Sequence, residues 1–280
     1  MSNTATVLAF DFGASSGRAI RAVYDGQNLN YEEIHRFENI PIEKDGHLCW
    51  DVETLLKEIH TAIQKAGTFD SLGFDTWGVD FGLLDTDGHL LANPVHYRDA
   101  RTNGKPEQAA ARMPAEELYA HTGNQIMAIN TLFQLLALQE QEPELLQKAA
   151  QILFMPDLFA ALLGAEPVCE RSIASTSQML DPRTGQWSRE VLAAYGLNAN
   201  RFAPLVASGT VTGTLANGAK IIAVAGHDTQ CASAAMPCAE EDAEHTAFLS
   251  CGTWSLLGTE LEAPILTADS CQSGLSNELG

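Results

Sequence analysis

Positive charge is what this 280-residue sequence has least of: 16 lysines and arginines face 36 aspartates and glutamates, a formal charge of −20. A surface of that sign repels nucleic acid and anionic membranes, so neither is an expected partner. Any anionic ligand must then be held by local amides, hydroxyls and a metal ion rather than by a general positive field. The six cysteines, Cys49, Cys169, Cys231, Cys238, Cys251 and Cys271, form no Cys-x-x-Cys pair and no histidine-cysteine cluster at zinc spacing, which reads as reduced thiols in a cytosolic protein. The N-terminus, MSNTATVLAF, has no basic region followed by a long apolar one, and no stretch approaches membrane-spanning length, so a soluble cytoplasmic protein is the expectation. A Gly-x-x-x-x-Gly-Lys-Ser/Thr loop and a dinucleotide fingerprint are both missing, which excludes those two modes of nucleotide binding. No low-complexity linker interrupts the chain, and a hydrophobic content of 45% is ample for a sizeable core.

What is present begins with Val7 to Ile20, VLAFDFGASSGRAI. An apolar run ends at Asp11, turns through Gly13-Ala14-Ser15-Ser16-Gly17 and resumes at Arg18, a pattern of strand, glycine-bounded turn and strand. The turn amides and serine hydroxyls converge as donors on a small anion, and Asp11 at its mouth offers a carboxylate to Mg²⁺. Alone, such a turn reads equally well as a surface hairpin rich in glycine and serine. A second stretch, Thr246 to Gly258, repeats the pattern of apolar strand, hydroxyl-rich turn and apolar strand. Two such hairpins point to a duplicated architecture gripping one polyphosphate from two sides.

Between them, Leu29 to Phe37 reads as a third strand after the turn Asp25-Gly26-Gln27-Asn28, and Asp51 caps a helix that Gly67 closes. Ser71 to Gly78 is then a strand returning parallel to the first, since a helix intervenes. Three antiparallel strands, a helix and a parallel strand open an α/β fold of the ribonuclease H-like, actin-like type. A fifth strand is expected at Lys220 to Ala225, giving a five-stranded mixed sheet with flanking helices; Asn198 to Asn217 reads as an irregular loop. The middle of the chain, from Pro106 to Ala150, is helical and peripheral. Asp228, between the strand end Ala225 and the helix QCASAAM, is either a helix N-cap or a carboxylate at the ligand-binding edge of a parallel sheet.

Six segments together, DFGASSGR, EIHRFEN, GFDTWGVDFGLLD, YRDARTNG, AGHDTQCASA and FLSCGTWSLLG, resemble the FGGY carbohydrate kinases from end to end of the chain. The resemblance implies two actin-like domains closing over a cleft, ATP and Mg²⁺ as cofactors, and a small ketose as the phosphate acceptor. Among members of the family, the likeness points to L-rhamnulose phosphorylated on its 1-hydroxyl. Carried onto matching positions, Ala14, Ser15, Ser16, Gly17 and Arg18 form the first phosphate loop, Asp11 lies near Mg²⁺, and Thr253 lies in the second phosphate hairpin. Asp228 matches the catalytic base, His227 and Thr229 line the sugar site, and Gly78 matches a backbone contact to sugar. Asp75 and Asp80 divide evenly between capping a turn and touching sugar, and Tyr97, Asp99 and Arg101 between shaping the sugar pocket and no role in it.

Family members are much longer than this chain. The expectation is therefore a first domain over residues 1–243 and the opening hairpin of a second over 244–280, with the hairpin poorly packed, adenine recognition missing and turnover slight. Two other readings stay open: a kinase of the same family acting on xylulose, fuculose or glycerol, and a catalytically silent sugar-binding module.

Overall fold

The computed structural model describes residues 4–239, 242, 245–252 and 254–279. Its centre is a six-stranded mixed sheet. Strands β1 (Ala5–Phe12), β2 (Ser16–Tyr24) and β3 (Leu29–Glu38) form an antiparallel meander. Helix α1 (Val52–Ala66) then carries the chain to β4 (Ser71–Thr76), which pairs in parallel with β1. Late in the chain β5 (Thr210–Thr214) and β6 (Lys220–Ala223) complete the sheet in the order β5-β6-β4-β1-β2-β3, with β6 parallel to β4.

The sixth strand is a correction to the five read from sequence. Residues 210–214 lie in the stretch taken for loop because Pro204, Gly209 and Gly213 punctuate it. β5 is an exposed edge strand with a bulge between Val211 and Gly213, so its apolar content is low and its alternation broken.

Alternation along β1 and β4 decides which face is buried. Leu8, Phe10 and Phe12 on β1 and Leu72 and Phe74 on β4 are almost fully enclosed, whereas Asp11, Gly73 and Asp75 fall on the half-open face. The buried face packs against α1 through Val52, Leu55, Ile59 and Ala62, and against α3 (Met155–Leu162) through Leu158 and Phe159. Phe12 stacks on Phe159 at 4.8 Å between ring centroids and Phe10 on Phe74 at 4.9 Å. Each such pair adds about 0.5–1.5 kcal/mol beyond the area it buries. α1 begins where the sequence placed it, with the Asp51 side chain accepting from the Thr54 amide.

A second apolar cluster gathers around α2 (Thr131–Gln141), where Leu132, Phe133, Leu135 and Leu138 meet Leu118, Val191 and Tyr195 from neighbouring helices. Near the C-terminus, β7 (Ala247–Cys251) and β8 (Ser255–Thr259) pair only with each other among the described residues. Leu249 and Leu257 on this hairpin are 61% and 76% exposed. The chain then returns: Asn277 donates through its backbone and its side chain to the Gly123 carbonyl, and Ser276 accepts from the Gln125 amide.

Candidate active site

Three neighbouring strands deliver a carboxylate each to one edge of the sheet. Asp11 on β1 stands in direct register with Asp75 on β4. The pairing of β6 with β4 is prolonged by the Thr76 amide donating to the Gly226 carbonyl at 2.9 Å, with Thr76 bridged to His227. Asp228 follows at once as the first residue of α4 (Asp228–Ala234). His227 occupies the N-cap position, so Asp228 does not fill the capping role that sequence left open to it. The carboxyl ends of parallel strands are where α/β sheets hold ligands.

Crowding of like charge shows in the proton affinities. Burial first, and then the charges of Asp11 and Asp228, push Asp75 well above the usual carboxylate range, and its carboxyl group makes no hydrogen bond among the described residues. Burial also raises Asp228, against the opposing pull of His227 and of hydrogen bonds from Thr229. Burial disfavours the charged ring of His227, but Glu278, Asp228 and Asp75 outweigh it and push its pKa up to about 9.

Asp11, His227, Asp228 and Glu278 open onto a cavity of about 610 Å³. The turn Gly13 to Ser16 lines it, as do Ser250, Gly252 and Trp254 of the second hairpin, so both hydroxyl-rich turns border one space. Trp77, Gly78, Val79 and Tyr97 form the floor, with His227, Asp228 and Thr229 beside them. Of the residues expected at the site, Asp11, Ala14, Ser15, Ser16, Gly78, His227, Asp228 and Thr229 therefore share this cavity. Gly17 and Arg18 do not line it. A Cβ on Gly17 would fall 2.3 Å from Phe37 Cζ, so this glycine makes room for core packing. The Arg18 guanidinium instead binds Asp11 Oδ2, at 2.8 Å through Nε and 2.5 Å through Nη2. Thr253 lies outside the described residues.

The donor set suits an anion. The amides of Ala14 and Ser15 and the hydroxyls of Ser15 and Ser16 make no hydrogen bond among the described residues, while the Gly13 amide braces the turn from within by donating to the Ser16 carbonyl and Asn39 braces it from outside, its amide donating to the Ser15 carbonyl. For a cation, Asp11 Oδ1 has no partner among the described residues, Oδ2 being the atom that Arg18 engages. Hard cations of the Mg²⁺ kind take one or two carboxylates and complete their shell with water and phosphate, which fits a single free carboxylate oxygen beside an anion-binding turn. The one close trio of metal-type ligands among the described residues, Asp85, Asp87 and His89, is elsewhere, in a surface turn that Asp85 caps by accepting from the Asp87 and His89 amides.

The ambivalent residues separate cleanly. Asp80 is buried and accepts from the Trp50 and Trp77 indoles, the Tyr97 amide and the Gln134 side chain; it holds the floor together from below. Tyr97 lines the cavity, whereas Asp99 caps its own turn and binds His47, and Arg101 donates to Gln134. Residues that sequence reasoning missed are Asn124, Gln125, Asn130 and Thr176 along one side, and Ser276 and Glu278 from the C-terminal segment. No spacing marks them, because they come from loops far apart in the chain.

No helix among the described residues is long and apolar enough to cross a membrane. Comparison with known structures finds a carbohydrate kinase from Novosphingobium aromaticivorans with a TM-score of 0.76 at 23% identity, covering 96% of this chain and 58% of that one. A gluconate kinase from Lactobacillus acidophilus aligns with a TM-score of 0.70 at 17% identity, over 79% of this chain and 48% of its own. These establish the fold, that of the actin-like carbohydrate kinases. In sequence, a rhamnulokinase from Bacteroides thetaiotaomicron is 41% identical over 286 residues, covering 98% of this chain; the chain spans 58% of that relative's length. Residues 6–234 match the N-terminal domain model of the FGGY family of carbohydrate kinases, and with the strand-end carboxylates and the paired turns in place, the chain belongs to that family.

Proposed function

We propose that this chain carries the sugar-binding and proton-accepting part of a cytoplasmic ketose kinase that phosphorylates L-rhamnulose on its 1-hydroxyl, giving L-rhamnulose 1-phosphate. The observation that carries the reading is the single cavity bordered by Asp228, Gly78 and the Ala14–Ser16 turn. In this reading residues 1–243 are the first domain and 244–280 the opening of the second.

A sugar hydroxyl is a poor nucleophile, and it reacts only if a carboxylate within hydrogen-bond reach takes its proton as the bond to phosphorus forms. Asp228 fills that role. His227 and Thr229 on either side of it, with the Gly78 backbone, orient the sugar. The free amides and hydroxyls of the Ala14–Ser16 turn bind phosphate oxygens, Gly17 and Arg18 complete that loop, and Thr253 acts from the opposing hairpin. Asp11 holds Mg²⁺, which when bound neutralises charge on the transferred phosphoryl group. The 41% identity to a rhamnulokinase supports L-rhamnulose over xylulose, fuculose or glycerol.

Calorimetry of this chain with L-rhamnulose and with the competing ketoses, each with and without Mg-ATP, tests the proposal. L-rhamnulose binds best, and Asp228→Asn retains sugar binding while losing all phosphate transfer. Absence of binding by any ketose sinks the reading, and sugar binding indifferent to nucleotide favours a catalytically silent module.

A further inference from the structure

The Glu278 carboxylate enters the cavity from a part of the chain that sequence patterns left unassigned. It accepts from His227 Nδ1 at 2.7 Å and from Gln230 Nε2 at 3.1 Å, both on Oε2. The opposite ring nitrogen, Nε2 of His227, lies 3.5 Å from Asp228 Oδ1. One imidazole therefore stands between two carboxylates.

Glu278 is fixed on both sides. Before it, Asn277 donates from its backbone to the Gly123 carbonyl at 2.8 Å, and from its side-chain amide to the same carbonyl at 3.0 Å and to the Tyr119 hydroxyl at 3.3 Å. After it, the Leu279 amide donates to Ser175 Oγ at 3.1 Å. Such anchoring at both neighbours leaves the side chain little choice but to reach His227. Both partners are well enclosed, with side chains 11% and 20% exposed, so their attraction is only weakly screened.

We propose that Glu278 is a positioning residue of the sugar site: it holds the His227 ring with Nδ1–H donating to Oε2, so that Nε2–H meets Asp228. The inference rests on the kinase reading for its link to sugar, and on geometry alone for the ring. Every charged group facing the ring pulls the same way: Glu278 from the C-terminal segment, Asp228 from its own helix and Asp75 from β4. The doubly protonated ring keeps a positive charge beside the carboxylate that must stay ionised to accept a hydroxyl proton. Glu278 Oε1 makes no hydrogen bond among the described residues and is left to accept from a hydroxyl of a bound sugar.

Nitrogen-15 NMR of the histidine rings, with Glu278→Gln and Glu278→Ala, tests this. Gln keeps the acceptor and drops the charge; Ala drops both. In the wild-type chain at pH 7.5 the His227 ring is protonated on both nitrogens. In E278Q its titration falls by about one pH unit or more, since one unit corresponds to a tenfold change in proton affinity. E278A also loses the Nδ1–H preference in the neutral ring, and both variants bind L-rhamnulose about tenfold more weakly. A neutral His227 ring in the wild type at pH 7.5, a titration unmoved by E278Q, or unchanged sugar affinity in both variants overturns the inference. A wild-type chain with no affinity for any ketose overturns the kinase reading and the sugar role of Glu278 with it, whereas the ring titration still judges the Glu278–His227 pairing by itself.

Discussion

Replacing Asp80 by alanine removes the one acceptor on which four buried donors converge. Oδ2 takes the Trp50 indole at 2.6 Å, the Trp77 indole at 3.0 Å and the Tyr97 amide at 3.2 Å, and Oδ1 takes Gln134 Nε2 at 2.8 Å. Gln134 Nε2 still donates to the Ile129 carbonyl at 2.9 Å, so three donors are orphaned; each costs about 1–3 kcal/mol when unsatisfied, and a water entering the vacated space relieves one of them. Removing a buried carboxyl returns part of its desolvation, so the net loss for Asp80→Ala is about 2–4 kcal/mol, or on the order of 10 °C in Tm. The damage extends upward, because Val79 next to it is a β-branched residue at φ 66°, held there by the Thr176 and Thr131 hydroxyls bonding its amide and carbonyl. A slackened floor lets Gly78 move and weakens sugar binding. The pH dependence has a definite sign. Burial outweighs the four hydrogen bonds and raises Asp80 from 3.8 to about 6, so the folded state binds this proton more tightly than the unfolded one. The contribution of Asp80 to stability is therefore greatest below pH 4 and falls as pH rises through 6. Urea titrations followed by tryptophan fluorescence should show a larger loss for D80A at pH 4.5 than at pH 8. A loss under about 1 kcal/mol, smaller than one unsatisfied donor, or a loss that grows with pH, refutes the reasoning.

Three further outcomes are expected. Gly73→Ala places a Cβ 2.6 Å from Val224 Cγ1 and 3.2 Å from the Ile222 carbonyl, forcing β4 from the strand that leads to Asp228; it costs about 1–3 kcal/mol in thermal unfolding and lowers sugar affinity as well. His227 is raised from 6.5 to about 9 and Glu278 is lowered from 4.5, so their joint stabilisation is full only between the two unfolded values, 4.5 and 6.5; the cost of His227→Gln measured in urea is largest near pH 6 and shrinks as pH rises through 9. Leu257→Lys, at a side chain 76% exposed, changes stability by no more than about 0.5 kcal/mol, which differential scanning fluorimetry can check.

Much of the fold was legible because period and punctuation agree in its first third. Phe10, Phe12, Leu72 and Phe74 alternate with polar or small residues, and Asp51 and Gly67 bound α1, so strand order and the parallel return of β4 follow from local signals. β5 was not legible: its glycine serves a bulged edge strand, and the same residue in sequence marks a loop. The two turns and Asp228 were legible as a pattern of residue types, while which turn residues border the cavity was not, because a turn motif does not say which of its residues face outward. Asp80 was ambiguous for a sharper reason. A carboxylate three residues after Trp77 reads equally as a turn cap or a sugar contact until the fold shows the Trp77 indole and that of the distant Trp50 both bonded to it. Glu278 carries no signal at all, since its partner is 51 residues away and is met only when the chain doubles back past Gly123.

In the proposed kinase reading, charge decides how a polyphosphate enters this cavity. Asp11, Asp228 and Glu278 line it and Asp75 stands behind them, against the cations of His227 and Arg18, and the second of these is already bound to Asp11. A metal-free triphosphate meets net repulsion: a carboxylate facing a phosphate across roughly 8 Å at an effective dielectric of about 40 costs about 1 kcal/mol, and the turn amides must offset several such terms. A divalent cation on the free oxygen of Asp11 reverses the sign of the largest of them. ATP alone should therefore bind this chain at least about tenfold more weakly than Mg-ATP, the equivalent of one or two of these repulsions. Added salt should strengthen metal-free binding by screening the carboxylates, the reverse of its effect on ligands drawn by a basic surface. Calorimetric titration of ATP with and without Mg²⁺ at two ionic strengths measures both signs. Metal-free ATP that binds as tightly as Mg-ATP, or that weakens with salt, means that the phosphates rest on some group other than the Ala14–Ser16 turn and its neighbouring carboxylates.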